Sequence, residues 1–219
     1  ISKDILIRPA SMELLWQANS SFVPPFYRGK ALPSLGSEIK VVAMPEIKST
    51  SAENMVYNWK KDYTNDVQNS GYGKNFLIYD NDYLEKSNNI SVTANTVDQK
   101  YSSEANIDIG NTSPKIVFYR NDETMGTLWN KALFNSHQIS NYDTVIAIPY
   151  FFSLTDVRHP LFTWNWSINN NKVDVKGYKK NYMPLKADEG TSGTALLKLE
   201  IENRDKIFET AERKINIQF

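Results

Sequence analysis

The chain has 219 residues, of which 41% are hydrophobic, 12% aromatic and 23% charged. This composition is typical of a globular protein with a buried core and excludes a disordered tail. The length favours two domains of about 100 residues each, because domain sizes cluster near that value. The 25 Lys and Arg residues balance the 25 Asp and Glu residues, so no net charge attracts a phosphate backbone, and we expect no nucleic acid partner.

The lengths of the apolar runs and the cysteine content of the sequence indicate where the protein is located. No apolar run approaches the roughly 20 residues that cross a bilayer, and the chain begins at Ile1 without an initiator Met or a signal-peptide pattern. We expect a fragment or a processed chain that meets a membrane only through segments outside this sequence. Cysteine is absent, which removes disulfides and Cys-ligated metals. Many bacterial surface domains fold without disulfides, so the expected location is extracellular or at a prokaryotic cell surface.

Five short runs rich in Val, Ile, Tyr and Trp predict strands in the first half of the chain. They cover residues 39–44, 55–60, 76–79, 90–95 and 105–109, and clusters of Asn, Asp, Ser and Gly separate them. The alternation of apolar and polar residues within the fourth run predicts one buried and one wet face. Helical periodicity is weak throughout, so the pattern predicts an all-β chain arranged as a sandwich.

Several segments of the first half recur, in the same order, in the second half. The pairs are 26–32 with 128–133, 41–45 with 145–149, 57–59 with 164–166, 71–76 with 177–182, and 107–109 with 215–217. The separation grows only from 101 residues (Lys30 to Lys131) to 108 residues (Ile107 to Ile215). We therefore predict two copies of one unit, a first domain at 1–111 and a second at 112–219, joined at the polar stretch 110–114.

Each copy carries a central-strand tryptophan, Trp59 or Trp166, followed by a Gly turn and an alternating strand. We expect both tryptophans to pack between two sheets. With residues 57–62, 70–75 and 90–94 and their equivalents, the chain resembles the immunoglobulin-like and PKD-like repeats of bacterial cell-surface proteins, although other residues replace the Gly-Asp-Gly turn of the PKD pattern. The resemblance implies two tandem immunoglobulin-like β-sandwich domains related by internal duplication. It also implies a role in spacing, assembly or adhesion without catalysis.

The N-terminus allows two interpretations. Residues 5–9 followed by 14–16 look like residues 107–109 followed by 116–118. Residues 1–9 would then be the last strand of a preceding copy, in a longer array or in a strand added to a neighbouring subunit. Alternatively, they form an extra first strand of the same sandwich.

Residues suited to catalysis or metal binding are few. Catalysis needs a nucleophile, a base or a metal within reach of one another, and the only histidines are His137 and His159, both in predicted loops. They support only a third interpretation, a hydrolase using one of them with carboxylates, and we predict no enzyme.

Calcium is the one cofactor considered, because Asp62, Asp66, Asp80 and Asp82 could supply oxygen ligands. Alternatively, Asp is there because it favours turns.

Aromatic residues in or beside predicted turns are the other candidates for binding. They are Phe26, Tyr27, Tyr63, Tyr72, Tyr83, Trp129 and Tyr178. Exposed flat rings stack on sugars or anchor a protein partner, and they also pack at edges and between domains.

The sequence as a whole favours a non-catalytic extracellular or cell-surface module for structure or adhesion. It would act through protein-protein contacts, including self-assembly by strand addition. The alternative is a carbohydrate-binding module that uses the turn aromatics, with calcium as an optional ligand.

Overall fold

A computed structural model describes residues 11–47, 50–81, 84–153, 158–177, 179–206 and 209–219. Within these ranges the regular secondary structure is β-strand apart from one 3-10 helix, Ala52–Asn54. None of the described residues forms a helix with the length and hydrophobicity of a membrane span. Two compact units divide the described residues. The first unit comprises the chain up to Asn19 together with Gly36–Asn111, and the second comprises Ser20–Leu35 together with Thr112–Phe219.

The first unit has seven strands in two antiparallel sheets. They are β1 (Met12–Ala18), β2 (Glu38–Pro45), β3 (Met55–Lys61), β4 (Thr64–Tyr72), β5 (Phe76–Asp80), β6 (Ser87–Thr96) and β7 (Ser102–Gly110). One sheet has the order β1-β2-β5 and the other the order β4-β3-β6-β7. Inward side chains of both sheets, among them Trp59 and Ile90, form one core. This strand order is that of an immunoglobulin-like β-sandwich.

The second unit repeats this arrangement with two additional strands, one of eight residues and one of three. Its strands are β8 (Lys115–Asp122), β9 (Gly126–Leu133), β10 (Ser136–Gln138), β11 (Tyr142–Tyr150), β12 (Phe162–Ile168), β13 (Asn171–Val173), β14 (Tyr182–Lys186), β15 (Thr194–Asn203) and β16 (Thr210–Gln218). The sheets have the orders β14-β11-β8-β9 and β10-β16-β15-β12-β13. Only the β10–β16 pair is parallel among the pairs described. The chain thus contains two tandem immunoglobulin-like domains.

The five strands predicted in the first half correspond to β2, β3, β5, β6 and β7. Two strands of this unit were not predicted, β1 and β4. Residues 64–70 of β4 are polar except for Val67. As an edge strand it has one neighbour, and few of its side chains are buried. The alternating signal of a half-buried strand therefore never develops.

The two core tryptophans make the same hydrogen bond in each unit. The indole N–H of Trp59 donates to the carbonyl of Lys74 at 2.9 Å, and the indole N–H of Trp166 donates to the carbonyl of Lys180 at 2.8 Å. Both rings are almost completely buried. A buried indole N–H without a partner would be costly, so each tryptophan fixes the chain that leads into β5 or β14.

Two further features occur at equivalent positions. The amide of Ala43 donates to the carbonyl of Asn75, and the amide of Ala147 donates to that of Asn181, both at 2.8 Å. The turns at 62–63 and 169–170 each have two consecutive residues with positive φ, as a two-residue hairpin turn requires. These equivalences support the internal duplication.

One of the five predicted matches is wrong. Residues 128–133 lie in β9, whereas residues 26–32 form no strand. Residues 20–35, which we call the strap, lie between β1 and β2 in the sequence but pack within the second unit. The division into domains at 1–111 and 112–219 stays a prediction, and the contacts place the strap with residues 112–219.

Replacing Trp166 by Phe removes the bond to Lys180 and leaves a gap in the core. We expect the free energy of unfolding to fall by about 2 kcal/mol, and Trp59→Phe to have a similar effect. Trp164→Phe is the control, because Trp164 is only half-buried. Urea unfolding measures all three variants. An equal loss for Trp164→Phe and Trp166→Phe would contradict the role given to the indole bond.

Candidate binding surfaces

The outer face of the β14-β11-β8-β9 sheet is apolar. Tyr119, Ile146 and Ile148 point away from the main core, yet all three are buried in a second hydrophobic cluster. Tyr150 and Tyr182 pack against this cluster. Strand β11 is consequently buried along nearly its whole length, whereas an antiparallel sheet of this kind usually has one wet face.

Aromatic rings of the strap lie on this outer face. The ring of Tyr27 packs edge-on against Tyr150, with 5.7 Å between centroids, and the ring of Phe26 contacts Trp129 at 4.0 Å. The Trp129 ring in turn packs against Tyr119, with 5.2 Å between the ring centroids. A side chain at Gly29 would meet the Tyr27 ring at 2.5 Å, so glycine is required where that ring crosses the backbone. The strap rings therefore continue the second cluster outward.

The two tyrosines of this cluster also interact through their hydroxyls. The Tyr119 and Tyr150 oxygens lie 3.2 Å apart. Burial raises the pKa of Tyr150 well above its ordinary value, and the hydrogen bond with Tyr119 adds to the shift. The Tyr150 hydroxyl is therefore neutral at physiological pH and acts in packing and hydrogen bonding.

Both ends of the strap are held by hydrogen bonds within the second unit. The amide of Phe22 donates to the carbonyl of Phe152, and the amide of Phe151 donates to that of Phe22, both at 2.7 Å. At the other end, the Ser34 hydroxyl donates to Glu209 at 2.5 Å. The fully buried Glu209 carboxylate also accepts bonds from the amide and hydroxyl of Ser153 and from the Asn203 side chain.

The first unit presents the same kind of face, and its apolar residues remain partly exposed in the part of the chain that the structure describes. Leu15, Met44, Phe76 and Ile78 are 38% to 53% exposed on the outer side of the β1-β2-β5 sheet. Val42 lies between them, paired with Leu15 on one side and with Phe76 on the other. We call these five residues the apolar face. Contiguous exposed apolar side chains of this kind mark interaction surfaces.

Among the described aromatic candidates, Phe26 and Trp129 meet in the second unit with Tyr27 next to Phe26, whereas Tyr63 and Tyr72 belong to the first unit. Tyr63 is exposed at the β3–β4 turn, and Tyr72 ends β4, where its hydroxyl donates to Asn54. Trp129, predicted beside a turn, lies within β9 of the second unit, and Tyr27 lies in the strap. Tyr83 and Tyr178 are outside the described residues. The proposed sugar-binding role of these residues stays a prediction.

Two of the predicted calcium ligands, Asp62 and Asp66, accept hydrogen bonds from neighbouring side chains and amides. The Asp66 carboxylate accepts bonds from the amide and the side chain of Asn69. Asp80 is exposed at the end of β5, and Asp82 is outside the described residues. Among the described residues, no three His, Asp or Glu side chains converge as a metal-binding group would. Calcium binding stays a prediction.

Asp62 belongs to a polar network rather than standing alone. Its carboxylate accepts bonds from the Asn89 amide at 2.7 Å and from the Lys61 ammonium at 3.0 Å, and the same ammonium also pairs with Glu85 at 3.1 Å. Burial alone would raise the pKa of Asp62, but the hydrogen bonds from Asn89 and Lys61 outweigh it and lower the pKa. A cation at this position would compete with Lys61.

Both histidines make hydrogen bonds within the described residues. His137, predicted in a loop, lies in β10, and its Nε2 is 2.8 Å from the carboxylate of Asp143. Arg120 pairs with the other oxygen of Asp143 at 3.1 Å, so this buried carboxylate is neutralised and joins β10 to β8 and β11. His159 accepts a bond from the amide of Leu161. The hydrolase interpretation of the two histidines stays a prediction.

No protein-family model matches the chain, and no curated protein matches it. Similar solved structures include three N-terminal domains of the Hoc outer capsid protein of bacteriophage RB49, with 13% identity, 96% of this chain and 58% of that chain covered, and a TM-score of 0.45. Another comprises fibronectin(III)-like modules of Clostridium thermocellum CbhA, with 10% identity, 93% of each chain and a TM-score of 0.30. A third is SGBP-B of the Bacteroides ovatus mixed-linkage glucan utilization locus with a heptasaccharide, with 7% identity, 92% and 70% coverage and a TM-score of 0.27.

The present chain therefore spans little more than half of the phage chain. At these identities and TM-scores the likeness carries no argument about ligand or partner. The description of both units as immunoglobulin-like rests on their strand order.

Replacing Glu209 by Ala should loosen the strap. It leaves the donors of Ser34, Ser153 and Asn203 without their buried acceptor, so we expect a loss of about 3 kcal/mol in the free energy of unfolding. Ser34→Ala should cost less, because only one bond is lost. Glu202→Ala on β15 is the control, since Glu202 is half exposed. Urea unfolding decides the ranking, and an equal loss at positions 202 and 209 would contradict the anchoring role.

At acid pH the folded protein should lose the stability that the ionised Asp62 carboxylate contributes. Because its pKa is lowered in the folded state, Asp62 stabilises the fold above about pH 4, and the contribution disappears as pH falls through the lowered value. Asp62→Asn should therefore narrow the gap in urea midpoint between pH 7 and pH 3, whereas the exposed Asp174→Asn should leave the gap unchanged. Equal gaps in the two variants would refute this assignment.

Proposed function

We propose that this chain is a non-catalytic module of an extracellular or cell-surface protein, which acts through protein-protein contacts made by the apolar face of its first unit. The observation that carries the proposal is the contiguity of five outward apolar residues across three strands. Outer faces of antiparallel sheets are usually polar. A face of this composition favours a partner that removes it from water.

The size of the face indicates a weak contact unless the partner adds polar bonds. Roughly half of the surface of each large apolar residue on the face is still exposed to water. These residues are Leu15, Met44, Phe76 and Ile78. Burying the remainder contributes on the order of 1 kcal/mol for each side chain. Association also costs translational and rotational freedom, so the expected contact is reversible. Reversible contacts suit adhesion and assembly, where many copies act together.

Charged residues around the face add specificity. Glu13 pairs in register with Met44, and Glu38 pairs with Asp80, so these carboxylates lie on the same side of the sheet as the apolar residues. The Lys40 ammonium lies over the Phe76 ring, 4.8 Å from its centroid. An apolar centre with a charged surround is the usual composition of a protein-protein interface.

The test is sedimentation velocity over a concentration series. If the face mediates self-association, the wild-type chain should form larger species as concentration rises, and the double variant Leu15→Lys with Met44→Lys should stay monomeric. The matched control is Val67→Lys with Val97→Lys, because both valines are highly exposed elsewhere on the first unit. The control should associate like wild type.

Strand addition gives a different result in the same experiment. Deletion of residues 1–9 would abolish association while the face variant retained it. For a different partner protein, a photoreactive group at position 44, but not at position 67, should cross-link a defined polypeptide on the native cell surface. A chain that stays monomeric and cross-links equally from both positions contradicts the proposed function.

A further inference from the structure

The apolar face of the first unit and the covered face of the second unit are the same place in the duplicated fold. Leu15 pairs with Val42, and Tyr119 pairs with Ile146. On the other side of the central strand, Val42 pairs with Phe76, and Ile146 pairs with Tyr182. The three positions of one unit therefore correspond one to one with the three of the other.

The next pair along the central strand extends this correspondence. Met44 pairs with Glu13, and Ile148 pairs with Val117. At these two outward positions of the central strand both units carry apolar residues. They are Val42 and Met44 in the first unit and Ile146 and Ile148 in the second. The duplication has thus kept an apolar outer face at one geometric location in both units.

In the second unit the structure shows what lies on this face. It is the strap, whose Phe26 and Tyr27 rings continue the cluster of Tyr119 and Tyr150. In the first unit the equivalent residues remain partly exposed. We infer that the apolar face of the first unit receives an aromatic and basic segment of the same kind, contributed by an adjoining module of the same build.

Charge supports this occupant. The strap carries Arg28 and Lys30 and no acidic residue, a net charge of two positive. The outer side of the first unit's sheet carries three carboxylates against the one ammonium of Lys40, a net charge of two negative. The carboxylates are Glu13, Glu38 and Asp80. Opposite net charges favour the encounter of a basic segment with this sheet.

This inference rests on the proposed function and adds the chemistry of the partner. An adjoining module would contribute the segment between its first and second strands, since that is where the strap lies in this chain. Each unit of an array would then be covered by a segment from the unit before it. The apolar face would be the surface through which successive modules recognise one another.

The experiment titrates a synthetic peptide of residues 20–35 into the full chain labelled with ¹³C at the methionine methyl groups. The sequence has five methionines, Met12, Met44, Met55, Met125 and Met183. Met44 reports on the apolar face and Met55 on the core of the first unit, while Met125 and Met183 report on the second unit. One spectrum therefore distinguishes binding at the face from displacement of the strap.

We expect a saturable shift of the Met44 methyl at peptide concentrations below about 1 mM. Leu15→Lys should weaken binding at least tenfold, with Met55 and Met183 unshifted as evidence that the variant is folded. A peptide carrying Phe26→Ser and Tyr27→Ser should lose binding. A peptide carrying Arg28→Glu and Lys30→Glu should bind several-fold more weakly, and salt should reduce that difference.

Three results would overturn the inference. They are a Met44 methyl that does not move, a shift that Leu15→Lys leaves intact, and shifts confined to Met125 and Met183. The proposed function fails separately. If the chain associates through the apolar face in sedimentation but the peptide leaves Met44 unmoved, the protein-contact function stands and the strap-like partner is wrong.

Discussion

A strand turns alternate side chains to opposite faces of its sheet, so a sheet that is apolar on both sides needs a cover as well as a core. This constraint shapes the second unit, where β11 carries Ile146 and Ile148 opposite Val145 and Ala147. The inward pair joins the main core, and the outward pair needs the second cluster. The position of the strap, its aromatic residues and its anchoring by Glu209 all follow from that requirement.

Much of the fold could be predicted, because its signals are local. The Val-rich run at 41–45 and the core residues Trp59 and Trp166 carry their structural role in the residue type and its spacing. The polar strand β4 carries no such signal, because an edge strand makes a backbone ladder without burying a face. The strap was misread for a related reason. Its Phe26 and Tyr27 look like the aromatic start of a repeat, and only the tertiary contact with Trp129 and Tyr150 shows that they pack on the second unit.

The candidate site was less accessible to sequence reasoning. Turn residues such as Asp62 and Tyr63 attract attention because Asp and exposed rings are chemically capable, but their partners come from distant strands. Asp62 is held by Lys61 and by Asn89, and no local pattern pairs 62 with 89. The apolar face has the opposite difficulty. Each of its residues looks like an ordinary strand residue, and only the register of β1, β2 and β5 places Leu15 beside Val42 and Phe76.

Comparison of the two copies shows why the exposed face is a feature rather than an accident. A solvent-facing strand position gains nothing in the folded monomer from a large apolar side chain, and polar residues there improve solubility. In the first unit the charged residues Glu13, Glu38 and Asp80 indeed occupy part of that sheet side, so the sequence tolerates charge there. Yet the positions equivalent to the covered residues of the second unit, Val42 and Met44 for Ile146 and Ile148, are apolar. Polar residues at the margin and apolar residues at the centre are what a contact surface requires, and the strap shows one segment that satisfies such a surface.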